Sequence, residues 1–167
     1  GLYSWKGDSL KNVAVLYGRT GKIEGIYEKV QLPDSETEGG AVPGNTFPVF
    51  TTDFGKIGIL ICWDSFFPEV ARILAVNGAE ILFCPIWGDV RGQESWKLTA
   101  RSRAMDNGVY FVTNIFDGHS VIVNPAGEVL QESGTQGTLI TAEIDLNYNP
   151  PWNWIGNAGL GVWKSVW

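Results

Sequence analysis

Cys62 follows directly on the run Lys56-Ile57-Gly58-Ile59-Leu60-Ile61 and is followed by Trp63-Asp64-Ser65-Phe66-Phe67-Pro68-Glu69. The run is short, apolar and rich in β-branched residues, as suits a strand covered on both faces. Pro68 fits the first turn of a helix, and Val70 to Val76 reads as helical. A thiol on such a strand-to-helix turn is lifted out of the core and faces the open end of the sheet. Backbone N–H groups at the start of the following helix can hold a developing anion. The chemistry implied is attack by sulfur on an electrophilic carbon. An isolated cysteine otherwise reads as a buried, inert thiol, and the position after the strand, not inside it, favours the nucleophile.

What could assist that thiol is narrowed by composition. His119 is the single histidine, and it stands in the apolar stretch His119-Ser120-Val121-Ile122-Val123. A histidine-rich metal site is not available, and neither is cysteine-rich zinc spacing. Thiol chemistry here has to recruit a carboxylate or a lysine. Cys84, inside a strand and followed by Pro85, reads as a buried thiol with no role. Two cysteines allow one disulfide at most, so a reduced, cytoplasmic setting is expected. The 167 residues, 44% hydrophobic and 18% charged, suit about one folded domain. A net charge of −6 with no basic cluster argues against a nucleic-acid partner. No apolar run approaches the length that crosses a bilayer, and no signal peptide opens the chain, so no membrane partner is expected.

The elements that must position Cys62 follow from pattern. Asn12 to Tyr17 and Lys22 to Lys29 are strand-like runs around a glycine-containing turn. Residues 33–46, rich in Pro, Gly, Ser, Thr and Glu, read as one long exposed loop, a length often tied to function. Phe47 to Thr52 pairs with the run before Cys62. A helix over about 68–77, a strand from Glu80 to Cys84, a loop over 85–89 and a helix from Glu94 to Asn107 come next. Val109 to Asn114, His119 to Val123, Glu128 to Gln131 and Gly137 to Ile144 read as strands. Alternating strands and helices in the middle, with hairpins at both ends, predict a layered α/β protein with a mixed sheet. The tail over 147–167 carries Trp152, Trp154, Trp163 and Trp167 without periodicity. It reads either as packed on its own domain or as a subunit contact.

Three separated blocks resemble the nitrilase superfamily of carbon–nitrogen hydrolases. Gly21-Lys22-Ile23 through Tyr27-Glu28-Lys29-Val30-Gln31-Leu32-Pro33 is similar to the block that carries the family's catalytic lysine. Gly58 to Arg72 resembles its cysteine block. Arg101 to Asn107, the strand to Asn114 and Gly118 to Gly127 resemble its later helix, strand and turn. The similarity runs to about residue 146, which sets the expected domain at 1–146. The resemblance implies an α/β fold of the αββα sandwich type in four layers and a Glu-Lys-Cys triad. It assigns Cys62 as nucleophile and Lys29 as the ammonium that lowers the thiol's pKa. Lys29 and the backbone N–H of Trp63 would hold the oxyanion. No metal or organic cofactor is needed, and a homodimer or higher homo-oligomer is expected.

The departures set further expectations. The family's base glutamate lies well before the lysine block, whereas the carboxylates before Lys29 are Asp8, Glu24 and Glu28, in no comparable context. The stretch with the first strand, first helix and base glutamate is therefore expected to be missing here. The chain then reads as roughly the last two-thirds of a hydrolase, whose missing part stands elsewhere, or as a non-catalytic scaffold or binding subunit. A second family glutamate falls on Glu36 or Glu38, and Glu38 is preferred for its distance to Pro43-Gly44. Asp64, where nitrilases carry Glu, favours linear amides or carbamoyl compounds over nitriles. Asp106 is expected to keep a structural ion pair, and Trp63 and Trp87 are candidate pocket walls.

Overall fold

The computed structural model describes residues 2–88, 92–134, 137–148 and 150. Strands β1 (Leu2–Lys6), β2 (Ser9–Tyr17) and β3 (Ile23–Glu28) form an antiparallel three-stranded sheet. A short helix, α1 (Asp34–Glu38), interrupts the connection to a second sheet. That sheet places β4 (Val49–Thr52), β5 (Gly55–Ile59), β6 (Ile81–Ile86), β7 (Tyr110–Ile115), β8 (Val121–Val123) and β9 (Val129–Glu132) side by side in chain order. β5, β6 and β7 are parallel, and the flanking strands pair antiparallel. The crossovers between the parallel strands are α2 (Pro68–Val76) and α3 (Gln93–Asn107).

The run before Cys62 serves two cores because strand side chains alternate between faces. Ile57, Ile59 and Ile61 point toward the three-stranded sheet, where Tyr27 and Leu16 meet them beside Phe50 of β4. Leu60 points the other way, into the helical layer with Leu74 and Leu82, all three fully buried. Each such side chain contributes on the order of 2 kcal/mol of burial. In α2 the buried positions Val70, Ala71, Leu74 and Ala75 form one stripe. Of the four expected layers, the described residues supply both sheets and one layer of helices.

Most expected elements are present with ends shifted by a residue or two. The region over 33–46 differs, since α1 lies in it and Ala41 is buried and bridged to Leu10. Five polar residues carry no apolar periodicity, so nothing in their pattern announces a helix. The strand expected over Gly137 to Ile144 is corrected: the described residues of 137–148 form no strand. Instead Ile144, Leu146 and Tyr148 pack against Ile57, Ile81 and Tyr110, and the Tyr110 hydroxyl donates to the Asp145 carbonyl at 2.9 Å. The proposed contact through Trp152, Trp154, Trp163 and Trp167 falls on residues outside those described. Among the described residues no helix is long and apolar enough to cross a membrane.

Candidate active site

The ladder between β5 and β6 runs one residue past the strand, where the Leu60 N–H donates to the Phe83 carbonyl at 3.1 Å. Ile61 is still extended, and Cys62 then opens a 3-10 turn over Cys62–Phe66. Cys62 adopts φ 48°, the one non-glycine residue among those described with a positive φ. For an L-residue that conformation costs about 1–2 kcal/mol. The Ser65 hydroxyl holds the turn by donating to the Cys62 carbonyl at 2.8 Å. Sulfur thus stands at the carboxyl end of a parallel strand, the usual place for ligand contacts in an α/β sheet.

Lys29 arrives one residue after β3. Its N–H donates to the Asn12 carbonyl and its own carbonyl accepts from the Gly44 N–H, each at 2.8 Å. The side chain is 1% exposed and ion-paired with Glu36. The second Glu36 oxygen accepts from the Asn12 side-chain amide at 3.0 Å. A buried ammonium is tolerated when it is paired and hydrogen-bonded in this way.

The structure brings Glu36, not Glu38, to Lys29, which corrects the preference drawn from spacing. Residues two apart on a helix point about 200° away from each other. With Glu36 turned inward, Glu38 is left exposed to solvent.

Cys62, Lys29 and Glu36 share a cavity of about 530 Å³ with Tyr3, Asn12 and Trp87, between walls that include Pro33 and Pro85. The Trp87 ring is 78% exposed and stacks on Phe116 at 4.2 Å with an interplanar angle of 6°. Trp63 does not line the cavity; its ring turns onto Phe66 and Phe67. Its backbone N–H, like that of Trp87, points at the Cys62 sulfur.

The electrostatics depart from the expectation of a depressed thiol. Burial pushes the Cys62 thiol above its ordinary value. The Lys29 ammonium and the two N–H groups pull it back only in part, and Glu36 opposes them. Desolvation is the largest influence on the thiol, and the carboxylate beside the cation adds the smallest.

Asp64 is wholly buried and accepts three hydrogen bonds at 2.8 Å: from the Tyr27 hydroxyl, the Gln31 N–H and the Ile61 N–H. Burial still pushes its carboxyl up. It does not line the cavity, so its bearing on substrate class is not through contact. Burial beside Asp64 also pushes the Tyr27 hydroxyl up, which keeps it a donor. Burial raises the Cys84 thiol as well, and its sulfur lies beneath the turn, near the Cys62 N–H and the Ser65 hydroxyl.

Asn12, Tyr3 and Tyr27 were not singled out from sequence. For Asn12 a signal existed, a polar residue inside an apolar strand run. Asp106 makes the expected ion pair with Arg103, at 3.4 Å. His119 is partly exposed and pairs with Glu132 at 3.2 Å, outside the Cys62 cavity.

Comparison with known proteins agrees with this geometry. The family model "Carbon-nitrogen hydrolase" matches residues 1–153. A probable nitrilase of Schizosaccharomyces pombe is 37% identical over 151 residues, covering 84% of this chain and 55% of that protein. The omega-amidase of Homo sapiens is 34% identical over 156 residues, covering 82% of this chain and 56% of its own length. A carbon–nitrogen hydrolase of Helicobacter pylori superposes with a TM-score of 0.79 at 29% identity, covering 87% of this chain and 60% of that one. A variant amidase of Nesterenkonia sp., with acrylamide added at its active-site cysteine, superposes with a TM-score of 0.72 at 30% identity, covering 81% and 57%. The chain thus spans a little over half the length of the relatives it matches, at 55% and 56% for the two above. A match along nearly the whole chain, in sequence and in fold, places it in the carbon–nitrogen hydrolase family of the nitrilase superfamily.

Proposed function

We propose that the chain carries the nucleophile and the oxyanion-binding lysine of a thiol amidohydrolase acting on linear amides or carbamoyl compounds. One observation carries this reading: a conformationally strained cysteine opens onto a cavity whose wall holds a buried lysine. Relatives named as amidases support amides ahead of nitriles.

In the reaction, Cys62 sulfur attacks the carbonyl carbon and the carbonyl oxygen becomes anionic. Lys29 and the Trp63 N–H hold that oxygen. The thiol proton passes to a carboxylate base and then to the leaving nitrogen, so that ammonia or an amine departs and a thioester remains on Cys62. Water activated by the same base releases the acid and restores the thiol. Burial pushes the Cys62 thiol up, so the base acts as sulfur attacks. Glu36 is committed to Lys29 and Asn12, while Asp8, Glu24 and Glu28 do not line the cavity. In the family this chain resembles, the base is a glutamate that stands well before the lysine block, and that role is proposed here for such a residue. Glu36 orients Lys29 and the attacking water. No metal or organic cofactor takes part.

The test is intact mass spectrometry of the whole protein, acid-quenched during turnover with simple amides and carbamoyl compounds. An acyl adduct mapping to Cys62 is expected. Cys62→Ala is expected to abolish ammonia release while its circular dichroism stays that of the wild type. Ammonia release that survives in this variant overturns the reading. Wild-type protein with neither adduct nor ammonia favours a binding or scaffolding subunit instead.

A further inference from the structure

We infer that Asp64 is a positioning residue that sets the distance between Lys29 and Cys62, a role that rests on the amidohydrolase reading. The Asp64 carboxylate binds the chain on both sides of the lysine and on the near side of the cysteine. Tyr27 stands two residues before Lys29, Gln31 two residues after it, and Ile61 immediately before Cys62. Lys29 directly follows a strand of the three-stranded sheet and Cys62 follows one of the six-stranded sheet, so their spacing depends on how the two sheets are tied. Other contacts hold each residue within its own sheet: Asn12 and Gly44 grip Lys29, and Ser65 grips the turn at Cys62. Among the described residues, Asp64 is the group whose hydrogen bonds reach both.

The division of acceptors explains why a carboxylate is required. Oδ2 receives the Tyr27 hydroxyl and the Ile61 N–H, while Oδ1 receives the Gln31 N–H. An asparagine has one acceptor oxygen, so its NH₂ must face a backbone N–H on one side or the other. Two donors then oppose each other in a site without solvent, and one of the two backbone ties is lost. Asp64 touches no substrate in this arrangement; it acts through the placement of the other two side chains.

The test is a double-mutant cycle on the whole protein, reading the pH at which iodoacetamide alkylates Cys62 at half its maximal rate. With Asp64 present, Lys29→Met is expected to raise that midpoint by about one pH unit, because an ammonium close to sulfur favours thiolate. In the Asp64→Asn background the same substitution is expected to raise it by less than about half as much. In turnover, Asp64→Asn is expected to lower kcat by roughly 10- to 100-fold with KM within about 3-fold, since a misplacement of an ångström is felt in the chemical step. An unchanged Lys29-dependence in Asp64→Asn overturns the inference. Should Asp64→Asn not fold, Tyr27→Phe, which removes one of the three ties, is expected to weaken the dependence in the same direction, and no weakening is equally fatal. Alkylation needs no turnover, so a protein that releases no ammonia defeats the functional reading while the cycle still decides the role of Asp64.

Discussion

The Cys62 thiol is governed by a contest between its burial and the polar and charged groups around it. Burial raises its pKa, Lys29 lowers it and Glu36 raises it. Burial is the largest of these influences, so the thiol is held above its ordinary value. Glu36→Gln removes the anion that opposes Lys29, so the alkylation midpoint is expected to fall. The same substitution frees the Lys29 ammonium from its tether, and turnover is expected to drop about tenfold, as for a lost positioning contact. A pH series of iodoacetamide rates beside an ammonia assay checks both, and an upward shift contradicts the account. Cys62 and Lys29 could be singled out in the sequence because each stands in a distinctive local string, and the structure brings both to one cavity. The choice between Glu36 and Glu38 was not, since it depends on the rotation of a five-residue helix.

At the scale of elements, Lys29 is placed by a loop as much as by its strand. Gly44 donates to the Lys29 carbonyl at 2.8 Å and lies flat against the end of β3. A Cβ there would fall inside the van der Waals radius of the Glu28 carbonyl oxygen and crowd the Glu28 Cβ at 2.8 Å. Gly44→Ala is expected to push the loop away, to destabilise by about 1–3 kcal/mol and to lower turnover more than Tm alone explains. Thermal melting paired with ammonia release measures both, and wild-type activity in a folded variant rules out this role for the loop. The strands and the two long helices were readable because their apolar spacing repeats: Ile57, Ile59 and Ile61 on one face, Val70, Ala71, Leu74 and Ala75 on one stripe. The helix α3 also ends where glycine allows a left-handed cap, at Gly108 with φ 62°. The segment over 137–144 misled because Thr138-Leu139-Ile140-Thr141 is apolar and β-branched as a strand would be, while Leu139 is exposed and the described residues there form no strand. Such a run does not report whether a hydrogen-bonding edge is on offer.

For the molecule as a whole, two sheets face each other across Tyr27, Ile59 and Ile61, and the nucleophile stands at the rim of that interface. The layered core was foreseeable from sequence, since runs apolar on both faces have to be covered twice. The polar struts through that core were less so: nothing in the composition of Tyr27, Gln31 and Asp64 says that they meet. Stability and function also pull apart at one position. Cys62 holds a side chain where the backbone would favour none. Cys62→Gly is therefore expected to melt higher than Cys62→Ala, by about 2–4 °C for a strain relief near 1 kcal/mol, although both variants are chemically dead. Differential scanning calorimetry of the pair reads the difference, and equal melting temperatures refute it. The glycine variant is then the form to choose for soaking or titration with intact amides: a receptor made sturdier by the same change that prevents it from consuming its ligand.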